Sequence, residues 1–290
     1  MATYIGDAGG IAVGAETVYG TETAAWVIQN AVSASFGARR ALIETNLLNA
    51  TYPSIREYNK FSDGELVVGY SRKRATNLFL GTIGTLATQT YTFGAGTAPT
   101  NAIGLSALVD YGGYQVKYLG CTVSKLRWEL AALTTVKQTA TLIGRAGAKD
   151  ITPETITVPD IANVQMDSDL ATFTLGTAVI LIKGATIEVD ANMSGLDRRG
   201  LGSADHRQPV CQGSYTITAS LQCELSTDTT NDTVAQLDDF LAGTTVGDLA
   251  IDDWTLLGCY MTGDMPALQA GILSFPINVR ANTMTLLTEA

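Results

Sequence analysis

Residues 213–225 read GSYTITASLQCEL, and their spacing decides the fold. Tyr215, Ile217, Ala219, Leu221, Cys223 and Leu225 alternate with Ser214, Thr216, Thr218, Ser220, Gln222 and Glu224. Successive side chains of an extended chain point to opposite faces, so the spacing predicts a strand with one dry and one wet side. The stretch is about twice the ~5–6 residues of an ordinary strand. Its wet side carries small uncharged polar groups and one carboxylate, with no Lys or Arg.

The rest of the chain is consistent with that strand. Hydrophobic residues make up 46% of the 290 positions and charged residues 16%, enough to bury a large core. Abundant Thr and scarce Lys favour strands over helices. The formal net charge of -10 opposes a tight, sequence-independent grip on nucleic acid, which needs clustered cations. No segment looks like a signal peptide, and no apolar run reaches the ~18–20 residues of a membrane helix. Cys121, Cys211, Cys223 and Cys259 form no C-x-x-C pair. Cys121 and Cys223 lie in strand-like runs and read as small, reduced, buried apolar groups.

Residues 1–30 are rich in Gly and Ala and read as an N-terminal arm. Strand candidates around a loop follow over 34–73. Residues 77–87 suit a short helix or a strand, and the Gly, Ala, Thr and Pro of 91–113 suggest loop. SKLRWEL (124–130) and VKQTATLIG (136–144) alternate on either side of a turn, a hairpin pattern. Residues 147–160 carry two prolines and read as a linker. Strands recur over 170–192, before a long loop and the two-faced strand of 213–225. NDTVAQLDDFLAG (231–243) predicts a helix, with Asn231 or Asp232 as N-cap, a stripe of Val234, Leu237 and Leu241 with Phe240 beside it, and Gly243 past the end. The chain closes on strand-like 253–261 and 269–281. Each half runs strand, long loop, strand, short apolar element, then YLGC (118–121) or LLGC (256–259) and a hairpin. That order predicts a duplication: arm 1–30, first β module 31–146, linker 147–160, second β module 161–290.

Signatures of enzyme chemistry are missing. His206 is the one histidine. It cannot supply an ordinary zinc ligand set, and no G-x-S-x-G elbow accompanies it for a catalytic triad. Neither a phosphate-binding loop nor a dinucleotide fingerprint occurs. No cofactor or metal ligand and no catalytic residue is expected. The carboxylates of MDSD, TDTTND and AIDDW suit solvated acidic turns, and none forms a calcium loop. A β-sandwich glycan hydrolase remains open, because any acidic protein offers carboxylate pairs. Arg39–Arg40, Arg72–Arg74 and Arg198–Arg199 are short groups in acidic surroundings, better suited to salt bridges across a subunit contact than to DNA.

Several patterned pieces together resemble a known family. GIAVGAETVYGT (10–21), YLGCTVSKLRWELAALTTVKQTATLIGR (118–145), GATIEVDANMSGLDRRGLGS (184–203) and GSYTITASLQCEL with FLAG resemble, in this order, segments of bacteriophage tail tube (major tail) proteins. The resemblance implies a mainly β fold of sandwich or barrel tail-tube modules, with long hairpins and one short α-helix per module. It implies self-assembly into rings that stack as a virion tail tube, put together in the host cytoplasm. DNA passes through such a tube without specific binding, and no membrane is involved. Tape measure, tail terminator and baseplate or distal tail proteins are the implied partners. Ser214, Thr216, Thr218, Ser220, Gln222 and Glu224 would face the lumen, and Arg198 and Arg199 a neighbouring subunit. Two modules per chain favour a ring of three chains over a hexamer of single modules. A decoration protein, another phage structural protein, or the tube protein of a contractile injection system would share the same composition.

Overall fold

Alternating residues with many β-branched side chains fit a pleated, half-buried surface. The computed structural model accordingly consists mainly of antiparallel strands. It describes residues 9–29, 31–45, 54–70, 79, 84–87, 90–94, 104–144, 148–149, 173–176, 178–180, 182–194, 210–211, 215–224, 227–228, 231–232, 238–239, 241–263 and 274–287. The first half holds β1 (Gly10–Ala15), β2 (Val27–Ile28), β3 (Ala31–Thr45), β4 (Ser54–Gly69), β5 (Thr85–Ala87), β6 (Thr90–Gly94), β7 (Leu105–Asp110), β8 (Gln115–Ala131), β9 (Lys137–Gly144) and β10 (Ala148–Lys149). The second holds β11 (Phe173–Leu175), β12 (Ala178–Val179), β13 (Ile182–Asp190), β14 (Met193–Ser194), β15 (Val210–Cys211), β16 (Thr216–Glu224), β17 (Thr227–Asp228), β18 (Asn231–Asp232), β19 (Gly247–Ile251), β20 (Trp254–Thr262), β21 (Ser274–Ala281) and β22 (Thr283–Leu287).

One wall runs through both halves in the order β3–β4–β9–β8–β13–β16–β21–β20, each strand antiparallel to the next. The early residues of β8 leave this wall to pair with β7 and β10, and those of β20 pair with β19 and β22. Strands that pass from one sheet to another turn the corner with bulges. Here the corners are Gly120 at φ 62° and Gly258 at φ 63°, each followed by a buried Cys. The dry faces meet in one apolar core. At its centre Trp128 of β8 meets Trp254 of β20 edge-on at 6.3 Å, and Tyr70 lies 5.2 Å from Trp254.

The pairings recur along the chain. β3–β4–β9–β8, with β8–β7, β7–β1, β1–β2 and β8–β10, is matched by β13–β16–β21–β20, with β20–β19, β19–β11, β11–β12 and β20–β22. The irregularities match too. The β3–β4 register shifts between Ala31 and Ser33, and the β13–β16 register between Ile182 and Gly184. The β7–β8 shift between Leu105 and Ala107 has its counterpart between Gly247 and Leu249.

Some expectations need correction. Residues 10–15, assigned by composition to an arm, form β1, with Ile11, Ala12 and Val13 buried against β7. The 91–113 stretch is not loop throughout, since most of β6 and all of β7 lie in it. Ala148 and Lys149 of the expected linker pair with β8. Asn231 and Asp232, expected as the helix cap, pair with β17, and residues 233–237 after them lie outside the described residues. Asp238, Asp239, Leu241 and Ala242 are helical, and Gly243 (φ 66°) ends the turn, with Thr244 N–H donating to the Asp239 carbonyl at 3.1 Å. Leu241 is 67% exposed, so it belongs to no core stripe; Val234, Leu237 and Phe240 lie outside the described residues. In 77–87, Phe79 is helical and buried, and β5 follows.

The corner glycine yields a stability test. A Cβ on Gly120 would meet the Tyr19 ring at 2.9 Å in a left-handed backbone. Gly120→Ala is expected to lower unfolding free energy by at least ~1–2 kcal/mol from the backbone alone. Urea titration followed by tryptophan fluorescence measures it.

Candidate functional site

Strand β16 presents its two faces as the spacing requires. Tyr215, Ile217, Ala219, Leu221 and Cys223 are buried, Thr216, Thr218 and Ser220 are half-buried, and Gln222 is exposed. Directly opposed residues of antiparallel neighbours share a face. Thr218 therefore stands between Glu188 of β13 and Arg280 of β21, and Glu188 in turn lies opposite Arg127 of β8. The next row runs Glu65, Thr141, Lys125, Asp190, Thr216. On the other side runs Lys137, Glu129, Thr186, Ser220, Asn278, Thr262. These rows form a broad hydrated surface across both halves.

That surface is not cation-free, as β16 alone suggests. Lys125 Nζ lies 2.7 Å from Glu188 Oε1, and Arg127 Nη2 lies 2.8 Å from Glu129 Oε1. Each pair is partly exposed, so it contributes only ~0–1 kcal/mol to stability. Its larger effect is local neutrality, since paired opposite charges cancel beyond the ~8 Å over which salt already screens. Glu224 ends β16 opposite Ser274. Ser214, Arg198, Arg199, His206 and Arg72–Arg74 lie outside the described residues. Arg39 and Arg40 fall within β3.

Behind this surface lies a carboxylate that sequence reasoning missed. Glu16 is 1% exposed. Its Oε1 accepts from Gly120 N–H at 2.7 Å and from the Ser106 hydroxyl at 2.9 Å, and its Oε2 accepts from Gly20 N–H at 2.6 Å. Asp248 Oδ1 likewise accepts from Gly258 N–H at 2.8 Å. Each corner glycine thus has its N–H held by an acid from an earlier strand or its flank. Asn192, at φ 47°, turns the chain after β13 and donates to Thr216 Oγ1 at 3.2 Å. The separation in sequence of Glu16 from Gly120 hid the first contact; the Glu of GAET and the Gly of YLGC were its only local traces.

Cys121 and Cys223, expected to be buried and reduced, are free and buried, and Cys259 is as well. Burial raises all three thiols, Cys121 furthest with added repulsion from Glu16. Cys223 is pushed up to about 12 by burial. Cys259 reaches about 11, where burial outweighs a hydrogen bond at Leu249. They stay protonated and serve as packing. Among the described residues no group of His, Cys, Asp and Glu could hold a metal ion, and no helix is long and apolar enough to cross a membrane. A shallow cleft of about 150 Å³ beside the end of β13, lined by Leu130, Phe173, Ile182 and Lys183 among others, contains no carboxylate.

Residues 6–261 match the family model described as phage tail tube protein. No curated protein matches the chain in sequence.

The buried and exposed acids are expected to behave differently. Glu16→Gln replaces one accepting oxygen with a donor facing an N–H, and should cost ~2–3 kcal/mol. Glu188→Gln, at the partly exposed pair, should cost no more than ~1 kcal/mol. Paired urea midpoints check the contrast; equal losses would contradict it.

Proposed function

The chain belongs to the phage tail tube protein family and is a structural component of the phage tail; on that premise we propose that it forms stacked rings whose lumen is lined by the β3-to-β20 wall. The observation that carries this reading is the wall itself: a long sheet with one dry face and one hydrated face, whose outer strands β3 and β20 have no further wall partner among the described residues. Edges of that kind invite pairing with another chain, and ring closure removes them. A conduit for DNA needs a wetted wall on which no cation cluster waits for phosphate. The rows around Thr218, in which four acids stand among four cations, support that reading.

The recurrence of pairings supports two tube modules per chain, the first beginning at β1 and the second at β11. Three chains would then make a pseudo-sixfold ring. Tape measure, terminator and distal tail proteins would meet the ends of the tube, and DNA would pass through without specific binding. Negative-stain imaging of concentrated protein tests the reading: hollow tubes or annuli are expected, and a monomer at every concentration and salt would overturn it.

Two substitutions probe separate surfaces. Thr218→Lys with Ser220→Lys adds two cations per chain to a half-buried, hydrated face. Stability should move by no more than ~0.5 kcal/mol per site. Repeated around rings and along the tube, the added field should slow DNA ejection, most at low salt. Ejection unchanged at every salt would place this face outside. The Arg198 and Arg199 pair is proposed to meet carboxylates of a neighbouring subunit. Arg198→Glu with Arg199→Glu should block assembly and leave the fold intact, because a desolvated ion pair broken on one side costs ~3–5 kcal/mol. Normal tubes from that variant would remove the role.

A further inference from the structure

The two corners of the fold are built alike and closed differently. Leu105 lies opposite Cys121 and Ala107 opposite Tyr118, as Gly247 lies opposite Cys259 and Leu249 opposite Leu256. Each strand pair leaves one bulged residue between, Ser106 in β7 and Asp248 in β19, and these two are counterparts. Asp248 Oδ1 accepts the corner N–H of Gly258 directly, at 2.8 Å. Ser106 has no carboxylate to offer Gly120. Its hydroxyl donates instead to Glu16 Oε1 at 2.9 Å, and that same oxygen accepts the Gly120 N–H at 2.7 Å. The first corner therefore takes from another segment the carboxylate that the second holds within its own strand.

That segment is an insertion. Val13 of β1 pairs with Val27 of β2, and Leu175 of β11 pairs with Ala178 of β12. Residues 14–26 join the first pair, where residues 176–177 suffice for the second. From Glu16 to Trp26 the chain lies as a strap on β7 and β8. Thr23 N–H donates to Ser106 Oγ at 3.1 Å, and Gly20 N–H to Glu16 Oε2 at 2.6 Å. Glu22 Oε1 lies 2.5 Å from Lys117 Nζ. The buried side chains of the strap are Glu16 and Thr23, both polar. Thr17, Val18, Thr21, Glu22, Ala24 and Ala25 are exposed. A segment held by a few polar contacts, with little apolar surface buried, opens at a lower free energy than the core it covers.

We propose that Glu16–Trp26 is a detachable strap whose closure completes the first corner, with Glu16 as the positioning residue, while Asp248 keeps the second corner closed from within β19. When the strap lifts, Gly120 loses the acceptor of its N–H. The bend of β8 is then unsupported just before the strand enters the wall to pair with β13. A surface segment thereby acts on the strand that joins the two halves, and it does so in the first half alone. The proposal concerns a single chain and stands apart from the ring reading.

Amide hydrogen exchange on the full chain, corrected for intrinsic rates, reads strap and corner separately. The N–H groups of Gly20, Thr23 and Gly120 share the Glu16–Ser106 pair. In the unmodified protein they should exchange within about threefold of one another and at least about tenfold faster than Gly258. A Gly120 rate equal to that of Gly258 would overturn the strap, because both corners would then open only with the whole fold. Ser106→Asp gives the first corner the acid of the second. Its carboxylate meets that of Glu16 at one buried point, where like charges repel strongly. Gly20 should then exchange at least about tenfold faster than before, while Gly120 slows to within about threefold of Gly258. Glu16→Gln with Ser106→Asp removes the clash and keeps an acid at the corner, so its urea midpoint should exceed those of both single variants. A double variant no more stable than Glu16→Gln alone would overturn the shared role of the two acids. Should a variant fail to fold, the comparison of Gly120 with Gly258 in the unmodified protein decides alone.

Discussion

A strand edge is a row of N–H and C=O groups that must find partners, and the seam between β8 and β13 meets that demand in the middle of the wall. Gly184–Asp190 runs against Ala131–Lys125 without a register break. Were the seam absent, each half would carry an open edge facing the other. The seam also fixes which way the side chains point. Trp128 and Ile187, opposite each other, are both fully buried, while Arg127 and Glu188 beside them reach the wet face. A slip of one residue would drive that Arg and Glu into the core and push the Trp into water. The charged row thus contributes to specificity through the cost of the wrong register more than through its own attraction.

The corners impose the second constraint. β8 and β20 each serve two layers, so each backbone must bend sharply without losing its pairing on both sides. A left-handed glycine gives the bend, but its N–H then points away from the ladder. Glu16 and Asp248 accept those N–H groups. The Glu16 carboxylate is nearly sealed from water, and its donors compensate for the lost hydration. The N-terminal strand and the Gly-Cys motif are consequently one structural unit, although about a hundred residues separate them. Neither piece explains itself alone.

Strands with one wet side were legible because their period can be read locally. Lys137–Gly144 and Gln222-containing β16 alternate in structure as they do in sequence. Strands buried on both sides were not. Leu105–Asp110 is buried from end to end but for Asp110, so LSALVD carries no alternation, and its Gly- and Thr-rich surroundings resemble loop. Gly10–Ala15 was lost for the same reason. The expected helix kept its terminal Gly243, which answers a local demand of the backbone. At its expected start Asn231 and Asp232 form a strand pair, because Asn and Asp suit a tight hairpin as well as a cap. The charge pattern of the wet face was invisible for another reason. Glu188, Arg127 and Arg280 become neighbours only through pairing between distant strands, and strand register is not written in any single stretch.

Under the proposed ring, that pattern bears on how an acidic protein could line a passage for a polyanion. The chain carries a net charge of -10. A wall sharing that excess would repel DNA along its whole length; a wall with unmatched cations would hold it. Among the described rows, Glu65, Glu129, Glu188 and Asp190 face the same side as Lys125, Arg127, Lys137 and Arg280, so neither sign prevails. The acidic surplus therefore lies elsewhere in the chain, where it supports solubility before assembly. Interleaving the charges across strands sets Lys125 against Glu188 at 2.7 Å and Arg127 against Glu129 at 2.8 Å. Were this face the lumen wall, as proposed, a passing phosphate would meet Lys125 and Arg127 already paired with acids, an arrangement that favours passage over binding.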